Sequence, residues 1–320
     1  MPLAVSAILV VSGLTLLVLG AEALVRGAAS LGKRFGIAEI VIGLTIVAFG
    51  TSMPEMAVNI LASIDARNDI VFGNIIGSNI FNLLFILGIS GLIYPLTVQQ
   101  NTVWKEIPFS LLVTLALLLL VNDTWDGASP ACMLSRNDGL LLLLLFAVFL
   151  TYVLGIPRIE TDDEYGTRQY SLRVSLLLVF GGLGVLVIGA RMCLNGAVAM
   201  GRQLHVSEKF IACTIVAAGT SLPELATSAV AAYRRHCDIA VGNVVGSNIF
   251  NILWILGASA VIRPAQYQGS FNVDVILLAA ATLILFLVMF TGQKRRLDRW
   301  EALILMVMYG GYTGYLLYAR

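Results

Sequence analysis

The feature that most constrains this chain is a polar segment that occurs twice within apolar sequence, at a fixed offset of 169 residues. The stretch 45–95 aligns without a gap on 214–264, and 28 of the 51 positions are identical. Shared hydrophobicity cannot explain this match, because the identical positions include Asn, Ser, Thr, Glu, Pro and Gly. Self-similarity at a fixed period indicates duplicated structural units. We therefore expect two copies of one fold.

Composition indicates that both copies lie in a membrane. Of the 320 residues, 58% are hydrophobic and only 12% are charged, whereas soluble domains have about 25% charged residues. A run of about 20 apolar residues is long enough to cross a bilayer. We predict an all-α integral membrane protein with ten transmembrane helices near 3–25, 37–63, 70–93, 107–121, 139–155, 172–195, 206–233, 239–262, 273–291 and 302–318.

Five predicted helices fall in each copy, and because five is odd the second copy must enter the membrane from the opposite side. The expected fold is therefore two inverted five-helix repeats. They form a single membrane transport domain over 1–320, with repeat one at about 1–155, a polar linker at about 156–171 and repeat two at about 172–320. Inverted repeats place a binding site where interrupted helices meet near the bilayer midplane. Transport is the leading hypothesis.

Charge placement predicts the orientation of the chain and excludes several functions. When Lys and Arg residues are assigned to the connections between spans, 13 of the 20 lie on one side, and such residues accumulate on the cytoplasmic side. We expect a multi-pass protein of the cell membrane (inner or plasma membrane) with both termini outside. A net charge of +1 offers no basic surface for nucleic acid. The four cysteines and two histidines lack metal-binding spacing, so we expect no cofactor.

Glu55 and Glu224, one in each copy, are the only acidic residues that we place well inside predicted helices. A carboxylate at such depth costs several kcal/mol unless it is paired, protonated or bound to a cation. No Lys or Arg lies deep enough to pair with either, so a cation is the favoured partner. The alternative is two protonated glutamates hydrogen-bonded within the bundle. Hydroxyl groups precede both glutamates at helical spacing, in Thr51, Ser52, Thr220 and Ser221.

The following helix of each copy has a polar stripe at every fourth residue. Its members are Asn74, Ser78 and Asn82 in the first copy and Asn243, Ser247 and Asn251 in the second. Carboxylate, hydroxyl and amide oxygens without thiolate or imidazole suit hard cations such as Ca²⁺ and Na⁺. The neighbouring asparagines and glycines point off the stripe, and we assign them to helix packing: Asn79, Asn248, Gly73, Gly77, Gly242 and Gly246.

A proline precedes each glutamate and predicts a break in its helix. Pro54 has no N–H for the carbonyl of Gly50, and Pro223 has none for the carbonyl of Gly219. Each helix should kink there and expose a backbone carbonyl beside its glutamate.

Two pairs of motifs, GTSMPE with GNIIGSNIFN and GTSLPE with GNVVGSNIFN, resemble those of the calcium/cation antiporter superfamily. The likeness is to its sodium/calcium exchanger branch, in particular to compact prokaryotic members. It implies Ca²⁺/Na⁺ antiport by alternating access, with the long first and sixth helices sliding against the other eight. By this resemblance the ion site comprises Thr51, Ser52, Glu55, Ser78, Asn82, Thr220, Ser221, Glu224, Ser247 and Asn251, with the carbonyls of Ala48 and Ala217.

Other transport modes are distinguished at particular residues. Relatives that co-transport potassium, and some archaeal exchangers, have an aspartate where Asn251 stands, which disfavours potassium coupling. Proton-coupled calcium exchangers have Asn-Ala where this chain has Thr-Ser, which favours sodium, with a Ca²⁺/H⁺ exchanger as the alternative. A cation channel usually repeats its carboxylates around a ring of subunits, whereas this chain has an inverted pair. An intramembrane hydrolase would need paired acids with water access, and two glutamates flanked by Ser and Thr without an ordered base fit that poorly, so we expect no enzyme. We expect Ca²⁺ and Na⁺ as substrates in the lipid bilayer and predict no oligomeric state.

Overall fold

The computed structural model describes residues 2–122, 132–156, 169–204, 217–291 and 295–319, and these are almost entirely helical. Within these ranges, seven helices are long and apolar enough to cross a membrane, and one bent pair would make an eighth. The all-helical membrane fold is confirmed, whereas the count of ten stays a prediction. The helices are α1 (Leu3–Phe35), α2 (Glu39–Thr51), α3 (Met53–Ile64), α4 (Asn68–Ile93), α5 (Thr102–Val121), α6 (Arg136–Leu154), α7 (Leu172–Gln203), α8 (Ala217–Thr220), α9 (Leu222–Tyr233), α10 (Cys237–Ile262), α11 (Gly269–Val288) and α12 (Arg299–Ala319).

Several predicted boundaries are wrong, because charged residues end an apolar run without ending a helix. The first run ended at residue 25, but α1 continues to Phe35, and Arg26 in this extension pairs with Glu22 one turn earlier. Helix α7 similarly continues to Gln203. Helix α5 begins at Thr102 instead of 107, which places a fully buried acid, Glu106, inside a helix. Residues 157–168 of the predicted linker and 206–216 of the predicted seventh span lie outside the described residues.

Helices α1 and α7 pack directly backbone against backbone. Glycines recur every seventh residue along both contact faces, at 13, 20 and 27 in α1 and at 182, 189 and 196 in α7. A methyl group added at Gly20 would lie 2.9 Å from the carbonyl oxygen of Gly182, and one added at Gly182 would lie 2.7 Å from the amide nitrogen of Leu24. No larger residue fits without a shift. These glycines therefore set the separation of the two longest helices.

Helices α4 and α10 occupy the centre of the molecule and are the most buried of the spanning helices. Each widens into a π-helical turn halfway along, at Phe81–Ile86 in α4 and at Asn251–Leu256 in α10. Such wide turns are rare and frequently lie at functional sites. Here they contain Asn82 and Asn251, two of the predicted ligands.

Two short antiparallel ribbons connect the halves of the chain. Strand β1 (Leu96–Thr97) pairs with β4 (Arg296–Leu297), and β2 (Met133–Leu134) pairs with β3 (Ala265–Gln266). Strands β1 and β3 occupy equivalent positions of the duplicated sequence, and each pairs with a strand of the other half. The ribbons thus fix the two halves to each other outside the helices.

Candidate functional site

Both glutamates follow a break in the helix, as the prolines predicted. Helices α2 and α3 meet at 49° around Ser52, whose φ of −82° and ψ of 6° leave the helical region. Ser221 interrupts the second half in the same way, with φ −89° and ψ 11°. Each proline lies in the first turn of the helix after the break, where a missing N–H costs no hydrogen bond. The predicted kink is confirmed.

The backbone carbonyls around these breaks are only partly described. The Ala48 carbonyl accepts a hydrogen bond from the Ser52 amide at 3.1 Å and a longer one from Thr51 Oγ1 at 3.4 Å. It stays a predicted ligand. Ala217 begins the described part of its helix. Its carbonyl, like those of Gly50 and Gly219, stays a predicted ligand.

The break directs each serine to the glutamate of the other half. Ser52 Oγ donates to Glu224 Oε1 at 2.9 Å, and Ser221 Oγ donates to Glu55 Oε1 at 2.8 Å. Both glutamates are only 1% exposed. Helical spacing had placed each serine beside the glutamate of its own helix, but the helix does not continue through the serine. The two carboxylates therefore belong to one centre that neither half completes alone.

The remaining predicted hydroxyl groups gather around the same centre. Ser52 Oγ lies 3.0 Å from Ser247 Oγ. Ser78 and Thr220 lie beside Glu55, and Thr51 lies beside Glu224. Thr51 also donates to Asn243 Oδ1 at 3.1 Å. The fold thus brings all eight predicted hydroxyl and carboxylate side chains together.

The outer members of the polar stripes hold the glutamate helices in place. Asn74 Nδ2 donates to the backbone carbonyl of Glu55 at 3.3 Å and to Asn59 Oδ1 at 2.7 Å. In the second half, Asn243 Nδ2 donates to the carbonyl of Glu224 at 3.3 Å and to Ser228 Oγ at 2.9 Å. Sequence reasoning missed the two acceptors, although residues 59 and 228 occupy equivalent positions of the repeat.

Packing by the glycines of α4 and α10 differs between the halves. A methyl group at Gly246 would lie 2.8 Å from the Cα of Leu44, and one at Gly242 would lie 3.1 Å from the Cα of Gly43. The predicted close approach is confirmed for these two. Among the described residues, no atom beyond the adjacent turns of the same helix lies within 4 Å of a methyl group at Gly77. A methyl group at Gly73 would make only ordinary contact with Phe271.

Five oxygens at the centre of this site accept no hydrogen bond from the described residues. A buried acceptor without a partner costs about 1–3 kcal/mol, so five together favour an electropositive occupant. In the described ranges neither glutamate forms an ion pair. Carboxylate, amide and hydroxyl oxygens are the ligands that Ca²⁺ and Na⁺ prefer. These atoms, called the five open oxygens below, are Glu55 Oε2, Glu224 Oε2, Asn82 Oδ1, Asn251 Oδ1 and Ser78 Oγ.

Comparison with known proteins identifies the family of this chain. The family model described as sodium/calcium exchanger protein matches residues 5–155 and 174–318. The chain belongs to this family. The resemblance found in the repeated motifs is thereby confirmed, and the protein is a multi-pass membrane protein of an exchanger family.

Two similar proteins match this chain over nearly their whole length. CaxA of Alkalimonas amylolytica is 36% identical, with 98% of this chain and 99% of that protein covered. The sodium/calcium exchanger MaX1 of Methanosarcina acetivorans is 30% identical, with 98% and 99% covered. Among solved structures, the sodium-calcium exchanger NCX_Mj, soaked with Na⁺ and no Ca²⁺, superimposes with a TM-score of 0.84 at 30% identity, and both chains are fully covered.

Proposed function

We propose that this protein exchanges Ca²⁺ for Na⁺ across the cell membrane by alternating access, with the five open oxygens as the centre of its ion site. One observation supports this most directly. Each half of the chain contributes one carboxylate oxygen and one amide oxygen that are buried and accept no hydrogen bond from the described residues. Thr51, Ser52, Thr220, Ser221 and Ser247 surround them. The carbonyls of Ala48 and Ala217 complete the proposed ligand set.

The two carboxylates explain why transport of one ion would require the other. An empty site with both glutamates ionised would hold a charge of about −2 in a medium of low dielectric constant, which is strongly unfavourable. One Ca²⁺ or at least two Na⁺ would neutralise this charge. The loaded forms should therefore change between outward-facing and inward-facing states far more readily than the empty form. This difference makes exchange obligatory.

The proposed architecture follows the duplicated sequence. The chain forms one transport domain of ten transmembrane helices in two inverted repeats, joined by the linker at about 156–171, with both termini on the outer side of the membrane. Helices α1 and α7, which the glycine contacts hold together, are the pair that would move as a unit against the rest.

The test is uptake of radioactive calcium into proteoliposomes that contain Na⁺, K⁺ or choline, or that experience a pH step. Uptake driven by internal Na⁺ alone supports the proposal. Uptake driven only by the pH step would identify the alternative Ca²⁺/H⁺ exchanger. A second measurement follows calcium efflux into sodium-free, calcium-free choline medium. Efflux there as fast as into sodium medium would indicate uncoupled movement, as through a channel, and would refute exchange.

A further inference from the structure

Four asparagines meet between α4 and α10, two from each half of the chain, and each is at most 2% exposed. Asn79 Nδ2 donates to the backbone carbonyl of Asn248 at 3.1 Å, and Asn248 Nδ2 donates to that of Asn79 at 3.2 Å. The proposed ligands hydrogen-bond to this pair. Asn251 Nδ2 donates to Asn79 Oδ1 at 2.9 Å, and Asn82 Nδ2 donates to Asn248 Oδ1 at 3.1 Å. We call these four residues the asparagine network.

Hydrogen-bond chemistry allows one orientation for every amide in the asparagine network. A backbone carbonyl only accepts, so the group of Asn79 that faces the Asn248 carbonyl must be its NH₂. The oxygen of Asn79 then faces Asn251, which must donate to it. The oxygen of Asn251 is left on the opposite side, where it is one of the five open oxygens. The same steps, starting from the carbonyl of Asn79, orient Asn248 and then Asn82.

Packing alone could not select this orientation. The oxygen and the NH₂ group of an amide have nearly the same size, so a flipped Asn251 would fill the same space. It would, however, turn two N–H donors toward a bound cation in place of a lone pair. Only a hydrogen-bond partner distinguishes the two orientations.

We propose that Asn79 and Asn248 are positioning residues that hold the amides of Asn251 and Asn82 with their oxygens toward the transported cation. This inference rests on the proposed function, because it requires a cation at the five open oxygens. Sequence reasoning assigned Asn79 and Asn248 to packing. They do lie between two helices, but each also orients a ligand that belongs to the other half of the chain.

Partners that orient metal ligands typically contribute about 10- to 100-fold to metal affinity. We expect Asn79→Leu, which keeps a branched side chain of similar shape, to weaken calcium binding by about this factor. The loss should disappear when Asn251 is also replaced by aspartate, because a carboxylate presents an oxygen in either orientation. In the Asn251→Asp background, one aspartate oxygen would face the Asn79 oxygen, and two acceptors repel each other. Replacing Asn79 with leucine removes this repulsion.

The experiment is equilibrium binding of radioactive calcium to the purified full-length protein in detergent. The four proteins are the wild type, Asn79→Leu, Asn251→Asp and the double variant. The proposal expects a loss of about 10- to 100-fold from Asn79→Leu in the wild type, and little or no loss in the Asn251→Asp background. An equal loss in both backgrounds would mean that Asn79 acts on the fold generally, and no loss in either would mean that it is not needed. Both results would overturn the proposal.

A second pair of variants, Asn248→Leu with and without Asn82→Asp, repeats the test in the other half. If neither leucine variant folds, the asparagines are structural residues and the positioning role is wrong. A wild type that binds no calcium would refute the proposed function itself. Normal wild-type binding with equal losses in both backgrounds would refute only the positioning role.

Discussion

The contact between α1 and α7 yields a matched pair of stability predictions. Gly182 and Gly184 lie two residues apart on α7, and a change to alanine adds the same methyl group at each. At Gly182 that methyl group would lie 2.7 Å from the amide nitrogen of Leu24 and 2.8 Å from the carbonyl oxygen of Gly20. Both atoms are backbone and cannot turn away. At Gly184 no described atom beyond the adjacent turns of its own helix would lie within 4 Å.

The sizes of the opposing effects follow from these distances. Normal contacts between non-bonded atoms are about 3.5–4.0 Å, so Gly182→Ala requires α1 and α7 to separate by about 1 Å. Overpacking of this kind costs about 1–3 kcal/mol, and the wider gap also weakens contacts along the rest of both helices. Alanine has a higher helix propensity than glycine, which stabilises the helix by at most about 1 kcal/mol. We expect Gly182→Ala to lose about 2 kcal/mol and Gly184→Ala to lose nothing or to gain slightly.

Thermal denaturation of both variants in the same detergent provides the measurement, with the fraction of monodisperse protein on a sizing column as the signal. The wild type and the Gly184→Ala protein should melt together, while Gly182→Ala should melt clearly lower. If Gly182→Ala is as stable as Gly184→Ala, backbone contact through glycine does not set the separation of α1 and α7.

Three further predictions concern the buried carboxylates and the ion pairs of Glu22. Glu55→Gln and Glu224→Gln should each abolish calcium movement in proteoliposomes. Neither variant should lose thermal stability, because removing a buried charge also removes its desolvation cost. Exchange at the wild-type rate by both variants would refute the site assignment. Protons should compete with calcium for the same carboxylate oxygens, so the apparent calcium affinity should fall as the pH is lowered from 8 to 5.5, and a flat profile would contradict this. Glu22 pairs with Arg234 and joins α1 to the end of α9 at 3.0 Å. Glu22 also pairs with Arg26 of its own helix. Because the side chains of Arg234 and Arg26 are 43% and 49% exposed, Glu22→Gln should cost less than about 1 kcal/mol in the same melting assay. A larger loss would show that these pairs stabilise the protein more than exposed ion pairs do.

Much of the site could be predicted because the sequence contains it twice. The recurrence of Glu, Ser, Thr and Asn at one offset separated these residues from their apolar surroundings. The structure gathers the predicted side chains at one centre, and the family was recognisable from the same motifs. A single copy would have suggested only a kinked helix and a polar stripe.

The contacts between the halves could not be predicted from helical spacing. Spacing places Ser52 beside Glu55, whereas the break at Ser52 turns its hydroxyl group toward Glu224. The roles of Asn79 and Asn248 depend equally on an approach between helices that are distant in sequence. Buried acids near helix starts, such as Glu106, were missed because a charge interrupts an apolar run whether or not it faces solvent.

The exchange of hydrogen bonds between the halves restricts how such a protein could have arisen. Ser52 donates to the second glutamate and Ser221 donates to the first. The amides of Asn251 and Asn82, which we propose as ligands, also hydrogen-bond across this boundary. A molecule with a single copy would therefore have only half of every such interaction. With the inverted repeats proposed above, it could complete the site only by pairing with a second molecule inserted upside down in the same membrane. Fusion of two copies in one chain makes that antiparallel pairing permanent and allows the once-identical partners to diverge.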